Sequence, residues 1–109
     1  MIKETEKSIQ KACLDLLGAY KIFCWRNNTG AVKMEKRFFR FGLAGSPDII
    51  ALHPRTGKFI GIEVKGPKGR LSDKQKEFAE SVRKNNGTYM VVWSVDQLID
   101  NLKAEAIIK

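Results

Sequence analysis

Asp48-Ile49-Ile50-Ala51-Leu52 and Lys58-Phe59-Ile60-Gly61-Ile62-Glu63-Val64-Lys65, separated by Pro54-Arg55-Thr56-Gly57, decide the fold of this chain. Both runs are rich in β-branched and aromatic residues, and turn-forming residues lie between them, so they read as a β-hairpin. A loop of two residues (Arg55, Thr56) or of four (Pro54 to Gly57) gives the same pairing, in which opposed residue numbers sum to 111. Asp48 then faces Glu63, with Cβ atoms about 5 Å apart on one face. Lys65, two residues beyond Glu63, points to that face too. A bulge at Gly57 would shift this register by one.

Two carboxylates at that distance repel unless something neutralises them. A hard cation does so, since Mg²⁺ is commonly held by one or two carboxylates together with water and phosphate oxygens. Such an ion polarises a phosphate and makes a bound water more acidic. A neighbouring lysine orients that water or stabilises the charge that develops on phosphorus oxygens. The set therefore predicts phosphodiester hydrolysis. The plainer reading is a surface hairpin in which Lys65 balances Glu63.

Outward from the hairpin, Ile9, Ala12, Cys13, Leu16, Leu17 and Tyr20 form one stripe of an amphipathic helix from about Thr5 to about Ala19. Lys21 to Arg26 reads as a strand, and a basic, poorly periodic segment runs from Asn27 to about Arg37. Phe38, Phe39 and Phe41 suggest a short extended piece. Ser72 and Gln75 have the capping-box spacing that opens a helix, which Gly87 closes. Thr88 to Trp93 is an apolar strand, and Ser94 and Gln97 repeat the capping box before a last helix with Leu98, Ile99 and Leu102 inward. The expected order is α-β-β-β-α-β-α.

The 109 residues and 12.3 kDa suit one domain. No apolar run approaches the roughly 18 residues of a membrane span. The charged start, Met1 to Lys7, lacks the apolar stretch of a secretory signal, so an intracellular protein is expected. Cys13 and Cys24 have neither disulfide-framework nor zinc spacing and read as reduced core residues. The single histidine, His53, argues against a histidine-based site and reads as a turn residue.

Twenty basic residues against twelve acidic give +8, and a pI near 9.7 suits a polyanionic partner. The excess is concentrated. Arg26, Lys33, Lys36, Arg37 and Arg40 stand against Glu35 alone between residues 26 and 40, a net +4. Lys68, Arg70, Lys74 and Lys76 stand against Asp73 alone between 66 and 76, a net +3. From these stretches Arg26, Lys33, Lys36, Arg37, Arg40, Lys68 and Arg70 are the candidate DNA contacts. The phenylalanines between Arg37 and Arg40 suit core or dimer packing better than base stacking. Trp25 and Trp93, on expected strands, read as core.

Gly45-Ser46-Pro47-Asp48 followed by Glu63-Val64-Lys65 resembles the PD-(D/E)xK nuclease motif, and the element order resembles the αβββαβ core of restriction-endonuclease-like nucleases. More narrowly, the chain is similar to the VRR-type (virus-type replication-repair) nuclease family. The likeness runs through Glu6 with Ile9-Gln10, Arg26 to Gly30, Phe41 to Asp48, Gly61 to Lys65, Pro67 to Ser72, and Gln75-Lys76. It implies an α/β fold: a mixed β-sheet flanked by helices, with a C-terminal helix beyond the core, as one nuclease domain over residues 1–109.

The resemblance also implies roles. Asp48, Glu63 and the Val64 carbonyl would be metal ligands and Lys65 the catalytic lysine. Glu6 would complete the acidic cluster, with Glu4 the fallback if the helix phase differs. Gln75 matches the family's glutamine after the lysine, although its place in the Ser72 capping box explains it equally. The implied cofactor is Mg²⁺, with Mn²⁺ able to substitute. Short stand-alone members, some of them from phages, act as dimers on branched DNA. The expectation is thus a cytoplasmic, phage- or prophage-encoded homodimer that resolves four-way (Holliday) junctions. The apolar residues from Phe38 to Leu43, or the last helix with Ile107 and Ile108, would supply the dimer surface. The competing readings are a non-catalytic nucleic-acid-binding module and a restriction-type or nicking endonuclease of broader range.

Overall fold

The computed structural model describes residues 5–28 and 30–109, apart from the side chains at 30–32 and 38–41. Helix α1 (Glu6–Ala19) starts at a reciprocal cap. Thr5 Oγ1 accepts the Ser8 N–H at 3.0 Å, and Ser8 Oγ accepts the Thr5 N–H at 2.9 Å. Ile9, Cys13 and Leu17 bury one stripe of it. Strands β1 (Cys24–Arg26), β4 (Ile49–Leu52), β5 (Phe59–Val64) and β6 (Thr88–Val92) form a sheet in the order β1-β4-β5-β6. The first three run antiparallel, and β6 lies parallel to β5 after the crossover through α2 (Asp73–Lys84). Helix α3 (Val95–Ala104) closes the chain. This is a mixed α/β sheet flanked by helices, consistent with a restriction-endonuclease-like fold and a C-terminal helix.

Strand parity divides the sheet. Ile49, Ala51, Ile60, Ile62, Val64, Met90 and Val92 face α1 and α3 and build the main core with Leu98, Leu102 and Ile107. The other face carries Gly61, Glu63 and Tyr89. Helix α2 covers its β5–β6 half, where the Phe78 ring centroid lies 6.4 Å from those of Phe59 and Tyr89.

The helices share one ending. Lys21, Asn86 and Ala106 have φ of 58°, 66° and 56°. The next residue of each, Ile22, Gly87 and Ile107, donates its N–H back to Leu17, Val82 and Leu102. These are Schellman turns, and in α1 and α3 the isoleucine also buries against the last turn.

Several expectations change here. Lys21 belongs to the α1 ending, so β1 is three residues long rather than six. Asn86, not Gly87, takes the left-handed conformation that ends α2. The unassigned basic segment is a hairpin of β2 (Gly30–Met34) and β3 (Arg37–Phe41), paired Met34 to Arg37. Glu35, at φ 57°, occupies a turn position that usually announces itself with glycine or asparagine. Trp25 and Trp93 are not core, at 43% and 40% exposed: β1, which carries Trp25, and β6, which Trp93 follows, are the edge strands. Cys13 is buried and Cys24 only partly. Tyr20, at the α1 C-cap, is exposed. The second capping box is half formed: Ser94 Oγ accepts the Gln97 N–H, but Gln97 Oε1 takes the Trp93 N–H. Leu98, Leu102 and Ile107 lie in the core, so these three residues of the last helix and its C-terminal extension are not available to a dimer surface.

Candidate active site

The β4–β5 ladder pairs Ile49 with Ile62 and Leu52 with Phe59, the register whose residue numbers sum to 111. The loop is the four-residue form. His53 and Lys58 bracket it, and the His53 ring nitrogen accepts the Arg55 N–H. Carried one residue past Ile49, this register sets Asp48 against Glu63. Asp48 Oδ2 accepts the Val64 N–H at 2.8 Å.

Glu63 is the one charged residue buried among the described residues, at 2% exposed, and its Oε2 has no hydrogen-bond partner. Its carboxyl is pushed up to about 9, first by burial, then by the hydrogen bond and negative charge of Asp48. Lys65 pulls the other way and Glu6 adds a smaller push upward. The Tyr89 hydroxyl is also buried without a partner, on the same face. Burial and then the charges of Glu63 and Asp48 raise it above the ordinary tyrosine range.

The loop that delivers Asp48 is fixed from outside. The Asn27 backbone N–H donates to the Asp48 carbonyl at 2.7 Å. The Asn27 Nδ2 donates to Ser46 Oγ at 2.7 Å and to the Pro47 carbonyl at 2.9 Å. Ser46 Oγ in turn donates to the Leu43 carbonyl at 2.7 Å. Gly45, at φ 82°, brings the loop onto the first turn of α2, where any Cβ would lie 2.4 Å from the Lys74 carbonyl oxygen.

These donors fit a hard divalent ion. Asp48 and Glu63 offer carboxylate oxygens at opposed ladder positions, and the orphaned buried Oε2 is the atom a cation would satisfy. The next ladder position would set Val64 against Pro47, which has no N–H to give the Val64 carbonyl. Among the described residues no three His, Cys, Asp or Glu side chains gather closely enough to hold a metal. Glu6 is exposed in the first turn of α1, near Gly66, and reaches Glu63 only as a charge. Glu4 lies outside the described residues.

Lys65 is half-buried, its N–H bonded to the Val92 carbonyl. Gln75 is half-buried and its Oε1 accepts the Ser72 N–H at 2.8 Å, the capping role. Lys33, Lys36 and Arg37 are exposed on the β2–β3 hairpin, and Lys68 and Arg70 on the loop between β5 and α2. The side chains of Arg40, Phe38, Phe39 and Phe41 lie outside the described residues. Arg26 pairs with Ile49, so it leaves the sheet on the face opposite Glu63.

Asn27 and Tyr89 were not singled out from sequence. Asn27 stands in the Arg26 to Gly30 stretch that carries part of the family resemblance. Tyr89 has the strand parity of Glu63, a signal readable only once the parallel register is known.

A family model for the VRR-NUC domain matches residues 4–96. No curated protein matches the chain.

Proposed function

The chain belongs to the VRR-NUC domain family, a nuclease family, and on that premise we propose a metal-dependent, structure-specific DNA endonuclease that resolves four-way junctions as a homodimer. The observation that carries the metal-dependent part is Glu63: a buried carboxyl with a partnerless oxygen, held against Asp48 at the end of a sheet in a strongly basic chain. A module that only bound DNA would have no use for a buried carboxyl set against a second carboxylate.

Asp48, Glu63 and the Val64 carbonyl would hold Mg²⁺, with Mn²⁺ able to substitute; Glu6 is the candidate for a further, outer ligand. The bound ion supplies positive charge at the scissile phosphate and a more acidic water. Lys65 stands on the face of Glu63, where its ammonium orients the attacking water or stabilises the charge that develops on the phosphate oxygens. Water oxygen bonds to phosphorus, the bond to the leaving sugar oxygen breaks, and that oxygen takes up a proton. Lys36, Arg37, Lys68 and Arg70, with Lys33 and Arg40, bind backbone phosphates, which carries no base readout, while Arg26, on the opposite face of the edge strand, could meet only DNA that passes around that edge.

The test uses end-labelled duplex, flap, single-stranded and four-way-junction DNA with Mg²⁺, Mn²⁺ or EDTA, for the parent and for Glu63→Gln. Cleavage is expected with either ion, strongest on branched DNA, and none in EDTA or by the variant. Undiminished cleavage in EDTA would overturn the metal-dependent reading.

A further inference from the structure

Trp93 is 40% exposed although its ring is large and apolar. It is nonetheless pinned at two points. Its indole N–H donates to the Gly69 carbonyl at 3.1 Å, and its backbone N–H to Gln97 Oε1 at 2.7 Å. One edge of the ring is therefore tied down while the ring remains partly open to solvent. Beside it lies an open hollow of about 490 Å³ lined by Pro67, Lys68, Gly69, Arg70 and Trp93. Among the described residues no carboxylate lines it. The ion pairs among the described residues, Lys11–Asp15, Lys74–Glu77 and Lys84–Glu80, lie within helices and leave Lys68 and Arg70 uncompensated.

The hollow adjoins the candidate active site. Val64 pairs with Val92 in the parallel β5–β6 ladder, and Lys65 donates its N–H to the Val92 carbonyl. The next position sets Trp93 beside Lys65, on the face of Glu63. Gly69 lies directly against the Lys65 stem, where a Cβ would come within 3.0 Å of Lys65 Cβ. One loop thus touches both the lysine and the tryptophan.

An anchored aromatic surface sharing a hollow with two cations that form no ion pair among the described residues suits a nucleobase with its phosphate. A paired base is already stacked on both sides and cannot use that surface. We propose that Trp93, Lys68 and Arg70 form a subsite for one unpaired nucleotide next to the scissile phosphate. The proposal rests on the nuclease reading above and deepens it. Such a subsite selects branch points, where a base leaves its stack at least cost. Its volume falls in the range of small-ligand pockets.

The test is made in EDTA on the full chain carrying Trp25→Phe, which leaves Trp93 as the sole tryptophan. Trp93 emission is followed while a ten-nucleotide oligothymidylate or a fully paired hairpin duplex is added. Oligothymidylate should quench the emission and the duplex should leave it nearly unchanged. Trp93→Leu should weaken oligothymidylate binding by about tenfold, the loss of one stacked base, with duplex affinity retained. Trp93→Phe, which keeps a ring but loses the indole N–H, should retain most of the affinity. Emission unchanged at saturating oligothymidylate would overturn the subsite. So would equal losses in both variants on both DNAs, since Trp93 would then only brace the loop. Mg²⁺-dependent cleavage of branched DNA by the unmodified chain tests the nuclease reading separately, and it can succeed while the subsite fails.

Discussion

The Val64 N–H donates to Asp48 Oδ2 at 2.8 Å, so the strand that carries Glu63 also fixes the carboxylate facing it. The continued ladder would present this N–H to the Pro47 carbonyl, but that oxygen accepts from Asn27 instead. The Asp48 side chain takes the vacant rung. One carboxylate oxygen is thereby committed to the backbone.

Substitution separates the two duties of Asp48. Asp48→Asn keeps an oxygen for the Val64 N–H and removes the charge, so turnover should fall by orders of magnitude while the fold persists. Asp48→Ala leaves that N–H without its partner and should be less stable than Asp48→Asn by about 1–3 kcal/mol. Both should bind DNA as tightly as the parent or more tightly, because a negative charge facing phosphate is gone. Urea denaturation with gel-shift and cleavage assays measures all three quantities. Full cleavage by Asp48→Asn would remove Asp48 from the site.

Glu63 sets the pH dependence of the metal-free protein. Its folded pKa of about 9 lies above the roughly 4.3 of an unfolded glutamate. Between those values the folded state holds a proton that the unfolded state has lost, so stability falls as pH rises through the window. In EDTA the Tm should drop from pH 5 to pH 9 by roughly 5 °C or more, the size of a ~1 kcal/mol change in a domain this small. Glu63→Gln should flatten that slope and be the more stable protein at pH 9. A parent Tm that rises toward pH 9 would contradict a buried, protonated Glu63.

Asn27 should act on rate through position alone. Asn27→Ala deletes two hydrogen bonds that hold Ser46 and Pro47, costing about 1–3 kcal/mol at roughly 1 kcal/mol per bond. It also loosens the approach of Asp48 to Glu63. The expected result is a lowered kcat with DNA affinity nearly unchanged. Asn27→Asp cannot donate and should be no better. A parental kcat in Asn27→Ala would mean that the backbone N–H to Asp48 suffices.

The central pairing was readable from sequence because both admissible loops gave one register, and the capping residues Thr5, Ser72 and Ser94 marked the helix starts. The β2–β3 hairpin was not readable, since Glu35 turns the chain where glycine or asparagine is the usual signal. Trp25 and Trp93 misled because strand composition does not reveal which strands are edges. Asp48, Glu63 and Lys65 converge through local spacing on one hairpin. Asn27 and Tyr89 reach the site by tertiary pairing, and no local pattern marks them.

Lys68 and Arg70 should contribute to DNA binding through phosphate charge. Removing one cation from a phosphate lowers the magnitude of the slope of log K against log salt by about 0.9 on duplex DNA. Charge reversal at Arg37 should weaken binding to duplex, flap and junction alike and flatten that slope; reversal at Lys68 or Arg70 should flatten the slope as well and weaken branched DNA at least as much as duplex. Anisotropy titrations from low to moderate salt measure it. An unchanged slope would mean that these side chains face away from the DNA.

The dimer is tested by the number of cuts made per encounter. A four-way junction is close to two-fold symmetric and needs two strands cut for resolution. One chain brings a single Asp48, Glu63 and Lys65 set, so two chains related by a two-fold axis would put one site on each of two opposite strands. Leu98, Leu102 and Ile107 are used in the core, whereas Leu43 is 66% exposed, so Leu43 is the residue that tests a surface for a second copy. Light scattering at micromolar concentration should give twice the chain mass, and Leu43→Glu should return it to one. On a supercoiled cruciform plasmid the parent should give linear product early, from paired cuts within one binding event. Leu43→Glu should give nicked circles first and linear product only later. A monomeric parent that releases nicked circles would leave a nuclease that cuts one strand at a time.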